Sequence, residues 1–364
     1  MAVVKLDGIW RALPDVDDSG EKRGFYKVDY DDSQWYDIRV PGHWQEEIED
    51  LKNYSGVVWY RKKFNWKGSN RRVWLRFRGV FYKAKVWLNG EELGGHEGYF
   101  ASFKFDVTTI IREENVLAVK VESRDEEDIN RKVQVGGIFY HWDCRDPTFN
   151  PGGIWGGVEI YETGDAWIER IKVIPRIHEG YAEVEVAVWI NSAISSNVRL
   201  VANISPKNFM GKEIRLEKEV SVKQGNNFFM FRIRIDDPKL WWTWDLGRQN
   251  LYTLRLDVLI NNEPSDSKEV IFGIKEVRLV KKRSGWVFYL NGKRIFIRGA
   301  NYGPTSQRLA YVTREDMERD VRMMREANIN MVRIHAHISP ELLSIFDEYG
   351  ILVWQDFPLQ WLSL

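Results

Sequence analysis

The chain has 364 residues, enough for two or three domains of about 150 residues, each able to bury its own core. Lys and Arg total 53 and Asp and Glu total 53, so the formal charge is zero and no basic field exists to hold nucleic acid or an anionic membrane. The longest apolar runs, such as residues 350–354 (GILVW), fall far short of the roughly 20 residues a membrane span needs, and the single cysteine, Cys144, allows no internal disulfide. The N-terminus reaches Asp7 before a signal-peptide core can form, so the chain reads as soluble and cytoplasmic. Aromatic residues are abundant, with 17 Trp, 15 Tyr and 18 Phe. Two readings fit: large rings filling wide sandwich cores, or aromatic planes for the apolar face of a sugar.

Residues 1–163 alternate in short segments broken by Gly, Asn and Asp, an all-β signature. Residues 57–64 (VVWYRKKF), 72–77 (RVWLRF), 84–88 (AKVWL) and 116–121 (VLAVKV) read as strands. Asn89-Gly90 reads as a type I′ hairpin turn, since both central positions want positive φ. A second β block, 164–275, contains 181–190 (YAEVEVAVWI), 228–235 (FFMFRIRI) and 251–260 (LYTLRLDVLI), a spacing that suits an immunoglobulin-like sandwich. Residues 162–165 (ETGD) form the expected joint.

From 276 to 364 the grammar changes. Residues 288–292 and 294–298 read as a hairpin. Thr313 then caps the first helix of the chain, which runs to about Ala327 with Asp316 at the capping-box position. Residues 330–335 (NMVRIH) follow as a buried strand. Ser339 opens a second helix with Pro340 at its first position and Gly350 beyond its end, and 351–357 (ILVWQDF) is another buried strand. This is one βαβ unit of a parallel sheet, and two parallel strands with one crossover cannot close a barrel, so the chain reads as stopping within its third domain.

The order of these blocks and several motifs resemble glycoside hydrolase family 2, which includes β-galactosidases, β-glucuronidases and β-mannosidases. The motifs include Leu6-Asp7-Gly8-Ile9-Trp10, Asp31-Asp32-Ser33, Trp59-Tyr60-Arg61, Val86-Trp87-Leu88-Asn89-Gly90, Gly153-Ile154-Trp155, Asn250-Leu251-Tyr252, Phe272-Gly273-Ile274 and Phe296-Ile297-Arg298-Gly299-Ala300-Asn301. The resemblance implies a mostly β, multidomain fold: a jelly-roll sugar-binding sandwich, an immunoglobulin-like sandwich, and the incomplete start of a TIM barrel. Residues 351–357 and His141-Trp142-Asp143 are similar to the β-mannosidase and exo-β-glucosaminidase branch, although Cys144-Arg145-Asp146 replaces the aromatic-Gly-Pro continuation of that loop.

By this resemblance Trp142 stacks on the sugar and Asp143 accepts hydrogen bonds from its hydroxyls. An Asp solvated at a loop tip is the plainer reading. Arg333, His335 and His337 share one strand face at the C-terminal end, where barrel strands deliver side chains to the active-site mouth. They suit hydroxyl recognition or ordinary structural hydrogen bonding; a His-x-His metal pair lacks a third ligand nearby in sequence. Asp356 ends the next strand at the same rim as a substrate contact, an orienter of another side chain, or a loop cap.

Retaining β-glycoside hydrolysis needs a carboxylic acid and a carboxylate nucleophile about 5–5.5 Å apart. The family places both glutamates on later barrel strands. Asn262-Glu263, in a polar turn of the second sandwich, cannot substitute for the Asn-Glu pair that marks the acid. The chain is therefore expected to carry substrate-positioning residues, neither catalytic carboxylate, and no activity alone. Its expected partners are a carbohydrate substrate, a complementing subunit or C-terminal continuation supplying the rest of the barrel, and a second copy in a homo-oligomer. The alternatives are a non-catalytic carbohydrate-binding or assembly module, and β-galactosidase or β-glucuronidase specificity in place of the β-mannosidase-like one. No cofactor or metal is expected, and Gly136-Gly137 and Gly152-Gly153 read as simple turns.

Overall fold

The computed structural model describes residues 3–68, 71–124, 151–283, 285–303, 305–334 and 339–356. The first block is a sandwich of ten strands: β1 (Val3–Lys5), β2 (Gly8–Pro14), β3 (Tyr36–Val40), β4 (Gly56–Asn65), β5 (Arg72–Phe77), β6 (Lys83–Leu88), β7 (Glu91–Glu97), β8 (Phe103–Asp106), β9 (Glu114–Ser123) and β10 (Val158–Thr163). A four-stranded sheet in the order β1-β10-β5-β8 faces a six-stranded sheet in the order β3-β2-β4-β9-β6-β7, as the jelly-roll reading requires. Their inner faces alternate into one core that includes Trp10, Val58, Tyr60, Leu75, Phe77, Val86 and Val119. Asn89 and Gly90 take φ of 53° and 85° between β6 and β7, the geometry of the predicted hairpin turn.

The outer face of the larger sheet is also buried. Residues between β2 and β3 fold over it and enclose Phe25, Trp35, Trp59 and Trp87. Arg61, wholly buried, organises this cover: its guanidinium donates to Asp32 Oδ2 at 2.8 Å and to the carbonyls of Phe25 at 2.5 Å and Lys27 at 3.0 Å. Such a cation is tolerated because its donors are met. Two helical turns, α1 (Gly20–Arg23) in this cover and α2 (Trp44–Glu47) after β3, precede the helix expected to be first; four residues are too few for a 3.6-residue hydrophobic period to register.

The second block pairs a three-stranded sheet, β11-β12-β15, with a four-stranded one, β14-β13-β16-β17. The strands are β11 (Ala166–Ile177), β12 (Tyr181–Ser192), β13 (Ser196–Pro206), β14 (Ile214–Val222), β15 (Gly225–Asp236), β16 (Tyr252–Ile260) and β17 (Glu263–Phe272). Val184, Val186, Val188, Leu200, Leu254 and Leu256 lie in the core between them.

The third block opens with an antiparallel sheet, β18 (Val277–Lys282), β19 (Gly285–Leu290) and β20 (Lys293–Ile295), then alternates strands and helices. β21 (Gly299–Tyr302), α3 (Arg314–Glu326), β22 (Met331–Ile334), α4 (Pro340–Tyr349) and β23 (Leu352–Gln355) form two crossovers joining three parallel strands, rather than one crossover joining two. β21 carries no apolar run: GANY becomes a strand only through its register with β22, Gly299 beside Met331 and Tyr302 beside Ile334. Both helix starts follow the sequence. Thr313 Oγ1 accepts the Asp316 amide while Asp316 accepts the Thr313 amide, and Ser339 Oγ accepts from Leu342 N at 3.1 Å.

The second sandwich holds this barrel segment from below. The fully buried Trp241 donates its indole N–H to Asp347 O at 2.7 Å, and its ring shares a core with Leu290, Met331 and Leu352. Trp244 donates its indole N–H to Ile329 O at 2.7 Å. Gly350 ends α4 at φ 77°, and a Cβ there would lie 2.6 Å from Trp244 N, so glycine serves both the cap and the close approach. Trp241→Ala is expected to destabilise this docking by about 3–5 kcal/mol. In hydrogen exchange β22 and β23 would lose protection while β4 and β9 keep theirs.

Candidate functional site

The parallel strands present two different faces. Ala300, Tyr302, Val332, Ile334 and Val353 alternate with Gly299, Asn301, Met331, Arg333 and Trp354. Of the first set, Tyr302, Val332, Ile334 and Val353 pack against Val321, Leu342, Ile345 and Phe346 of the two helices. The second set lines an open pocket of about 390 Å³ on the side away from the helices. In a (β/α) barrel that side is the interior, and its C-terminal end is the active-site mouth.

At that end Arg333 reaches two neighbours. Its guanidinium pairs with the carboxylate of Asp356, just past β23, and donates to Asn301 Oδ1 of β21 at 3.3 Å. Asp356 is itself placed by its backbone N–H, which donates to Ile334 O at 3.1 Å and extends the ladder by one residue. The side chains are 45% and 25% exposed, so this ion pair is worth little for stability. Its effect is geometric: one cation and one anion are fixed relative to three strands, with remaining donor and acceptor capacity toward the pocket. Trp354, 50% exposed, lines the same pocket, in contrast to the nine described tryptophans that lie buried. Most of the aromatic excess is thus core, and Trp354 is the exception at the site.

Of the residues singled out from sequence, Arg333 and Asp356 come together. Trp142, Asp143, His335 and His337 lie outside the described residues. Among the described residues no group of three His, Cys, Asp or Glu side chains could hold a metal ion, and no helix is long and apolar enough to cross a membrane.

The sequence reading missed a second feature of the rim. The segment after β21, residues 305–312, docks on the first sandwich. Tyr311 donates its hydroxyl to Glu47 Oε1 at 2.6 Å and accepts from His43 N at 3.3 Å, and Arg308 pairs with Glu46. His43 Nε2 accepts from Ala310 N at 3.4 Å. Complete burial, with a smaller push from the Arg308 cation, drives the His43 imidazole down to about 3, so it stands neutral as an acceptor. Burial and the Glu47 carboxylate hold the Tyr311 phenol well above its usual range, as a donor.

Backing this contact, the chain at Gly152 and Gly153 presses against α2. A Cβ on Gly152 would lie 2.1 Å from the Trp44 ring, and one on Gly153, at φ 123°, would lie 2.7 Å from Gly42 O. These glycines are a close-approach seam rather than a simple turn. No short motif marks the rim contact, because Glu46, Glu47, Arg308 and Tyr311 are ordinary surface residues until the domains meet.

Two β-sandwiches followed by parallel βα units, with an open pocket on the strand face away from the helices, define a modular three-block architecture. The family models for the glycosyl hydrolase 2 galactose-binding-like domain, the central family 2 domain and the family 2 TIM barrel match residues 26–156, 166–275 and 280–363. The chain belongs to glycoside hydrolase family 2.

It is 27% identical over 375 residues to a β-galactosidase of Thermoanaerobacter pseudethanolicus, covering 98% of this chain and 46% of that protein. It is 27% identical over 306 residues to an exo-β-D-glucosaminidase of Amycolatopsis orientalis, covering 82% and 29% respectively. Among solved structures, a β-D-mannosidase of Dictyoglomus thermophilum superposes with a TM-score of 0.80 at 25% identity, over 98% of this chain and 47% of that one. The chain therefore spans less than half the length of these relatives.

The His43 environment makes a pH prediction. The unfolded chain binds a proton near pH 6.5 that the native imidazole refuses until about pH 3, so the stability attached to neutral His43 is complete above about 6.5 and is lost as pH falls between those values. Replacing His43 with Gln should flatten the acid limb of a denaturation profile by up to ~1.4 kcal/mol per pH unit in that window.

Proposed function

We propose that this chain is the N-terminal, substrate-positioning part of a retaining exo-β-glycosidase of β-mannosidase-like type, acting on terminal β-linked sugars. The observation that carries the reading is Arg333, Asp356 and Asn301 meeting at the C-terminal ends of three parallel strands, beside the exposed ring of Trp354. An Arg–carboxylate pair offers fixed donors and acceptors to vicinal hydroxyls, and an indole face suits the C–H side of a pyranose. Trp142, Asp143 and His335 belong to the proposed site on the strength of the family resemblance.

The acid and nucleophile, about 5–5.5 Å apart in a retaining enzyme, are assigned to barrel strands beyond β23, in the same polypeptide or a complementing one. The similarity to the Dictyoglomus β-D-mannosidase supports the β-mannoside reading; the similarity to a β-galactosidase keeps β-galactosides as the second substrate to test. A cytoplasmic setting goes with this reading, supported by one cysteine in 364 residues.

The test supplies this chain with the remaining barrel, as a longer polypeptide or a second chain, and assays a panel of aryl β-glycosides. Hydrolysis is expected with the remainder and none with this chain alone. A reconstituted protein inactive on every glycoside would leave the non-catalytic binding module as the better reading. In the active assembly Asp356→Asn should lower kcat/KM about 10–100-fold, since it frees Arg333 and misplaces the substrate. Full activity in that variant would remove Asp356 from the site.

A further inference from the structure

β15 is a long sheet edge that the protein leaves open. It is the terminal strand of the order β11-β12-β15, and among the described residues no strand pairs with its other side. Twelve residues in extended conformation span ~40 Å, and alternate backbone donors and acceptors along them point away from β12. Natural sheets blunt such edges with proline, bulges or outward charges. Four other edges of the two sandwiches follow that rule. β11 carries Pro175, β17 carries Pro264 beside a register shift, β7 is bulged opposite Val86 and Trp87, and β14 exposes Arg215, Glu217, Lys218 and Glu219.

The N-terminal half of β15 does not. Its outward-facing positions place Phe228 at 50% exposure and Met230 at 45%, and Phe228 sits beside Trp189 of β12 with ring centroids 5.0 Å apart. Charge begins only at Arg232 and Arg234, and both are already compensated within the chain. Arg232 lies 3.4 Å from Glu183 and from Glu185, and Arg234 donates to Asp236 at 2.8 Å.

We propose that β15 is a homodimer interface, where a second copy of this chain adds its own β15 antiparallel across a two-fold axis and converts two three-stranded sheets into one of six strands. The sequence of the strand selects both the occupant and the register. An antiparallel pairing that sets Phe228 opposite Met230 of the second copy gathers Phe228, Met230 and Trp189 from both chains into one apolar cluster on the outer face. The same register sets Arg232 opposite Asn226 and Arg234 opposite Gln224 of the second copy, so no like charges meet. Slipping the strands toward their C-terminal ends sets Arg232 against Met230 or against another Arg232, which separates the apolar residues and opposes the cations. An isologous contact of this kind closes on itself and does not propagate into fibres.

The experiment measures the mass of the full chain in solution by sedimentation and light scattering across the micromolar range. The expected species has twice the 43.0 kDa chain mass. Phe228→Lys with Met230→Lys, both at exposed positions, should give a folded monomer. Leu279→Lys, on the exposed apolar strand β18 of the barrel segment, should leave the dimer intact. The register is read by cysteine pairing: with Cys144→Ser as background, Phe228→Cys with Met230→Cys should form interchain disulfides under mild oxidation. A chain monomeric throughout the range, a dimer that survives the double lysine variant, or a dimer abolished by Leu279→Lys alone would each overturn the proposal. Because none of these readings involves hydrolysis, their failure is separable from failure of the glycosidase assignment.

Discussion

The barrel segment is an incomplete sheet held at both ends by other domains. Three parallel strands with two helices on one side cannot bury both faces, so their arrangement depends on contacts from outside. Trp241 and Trp244 of the second sandwich brace the N-terminal ends through Asp347 and Ile329, and Gly350 leaves room for that approach. Glu46, Glu47 and His43 of the first sandwich hold the segment after β21 at the C-terminal ends. Between these two clamps the register Asn301–Arg333–Trp354 is fixed.

This arrangement gives the sandwiches a role beyond spacing. Arg333 and Asp356 are too exposed for their ion pair to organise the rim energetically. The organisation comes from the domain contacts: a buried neutral imidazole, a partly exposed phenol kept protonated beside a carboxylate, and glycines whose missing side chains let backbones approach. The imidazole and the glycines act through close packing, which salt screens little. The polar side chains facing the pocket can therefore be chosen for a ligand while other residues bear the cost of holding them.

Much of this was legible in the sequence, and the reasons for the rest are physical. Strands of the two sandwiches announce themselves by alternation, and Asn89-Gly90, Thr313 with Asp316, and Ser339-Pro340 are local signals whose chemistry does not need the fold. β21 was hidden because GANY has no pattern and is a strand only beside β22. Arg333 and Asp356 could be placed at one rim in advance because period 2 and barrel polarity put both at the same end, while their ion pair needed the structure. The rim contact of Glu47 with Tyr311 could not be, since neither side chain is unusual until a surface 264 residues away in the chain is brought to it. The tryptophans illustrate both cases: nine serve buried packing, while Trp354 reveals its different position only once β23 has a register.

The same separation has a kinetic consequence. The first sandwich closes when β10 joins β1 and β5, yet its partners Arg308 and Tyr311 are then nearly 150 residues from being made. At about 5–20 residues per second, synthesis leaves an interval of roughly 10–30 s in which His43 has no neighbour from the barrel side. During that time the imidazole lacks the Ala310 and Tyr311 contacts that complete its surroundings. The mouth of the pocket is thus assembled late and by long-range closure, so errors in chain completion fall first on the site and only afterwards on the sandwiches that carry it.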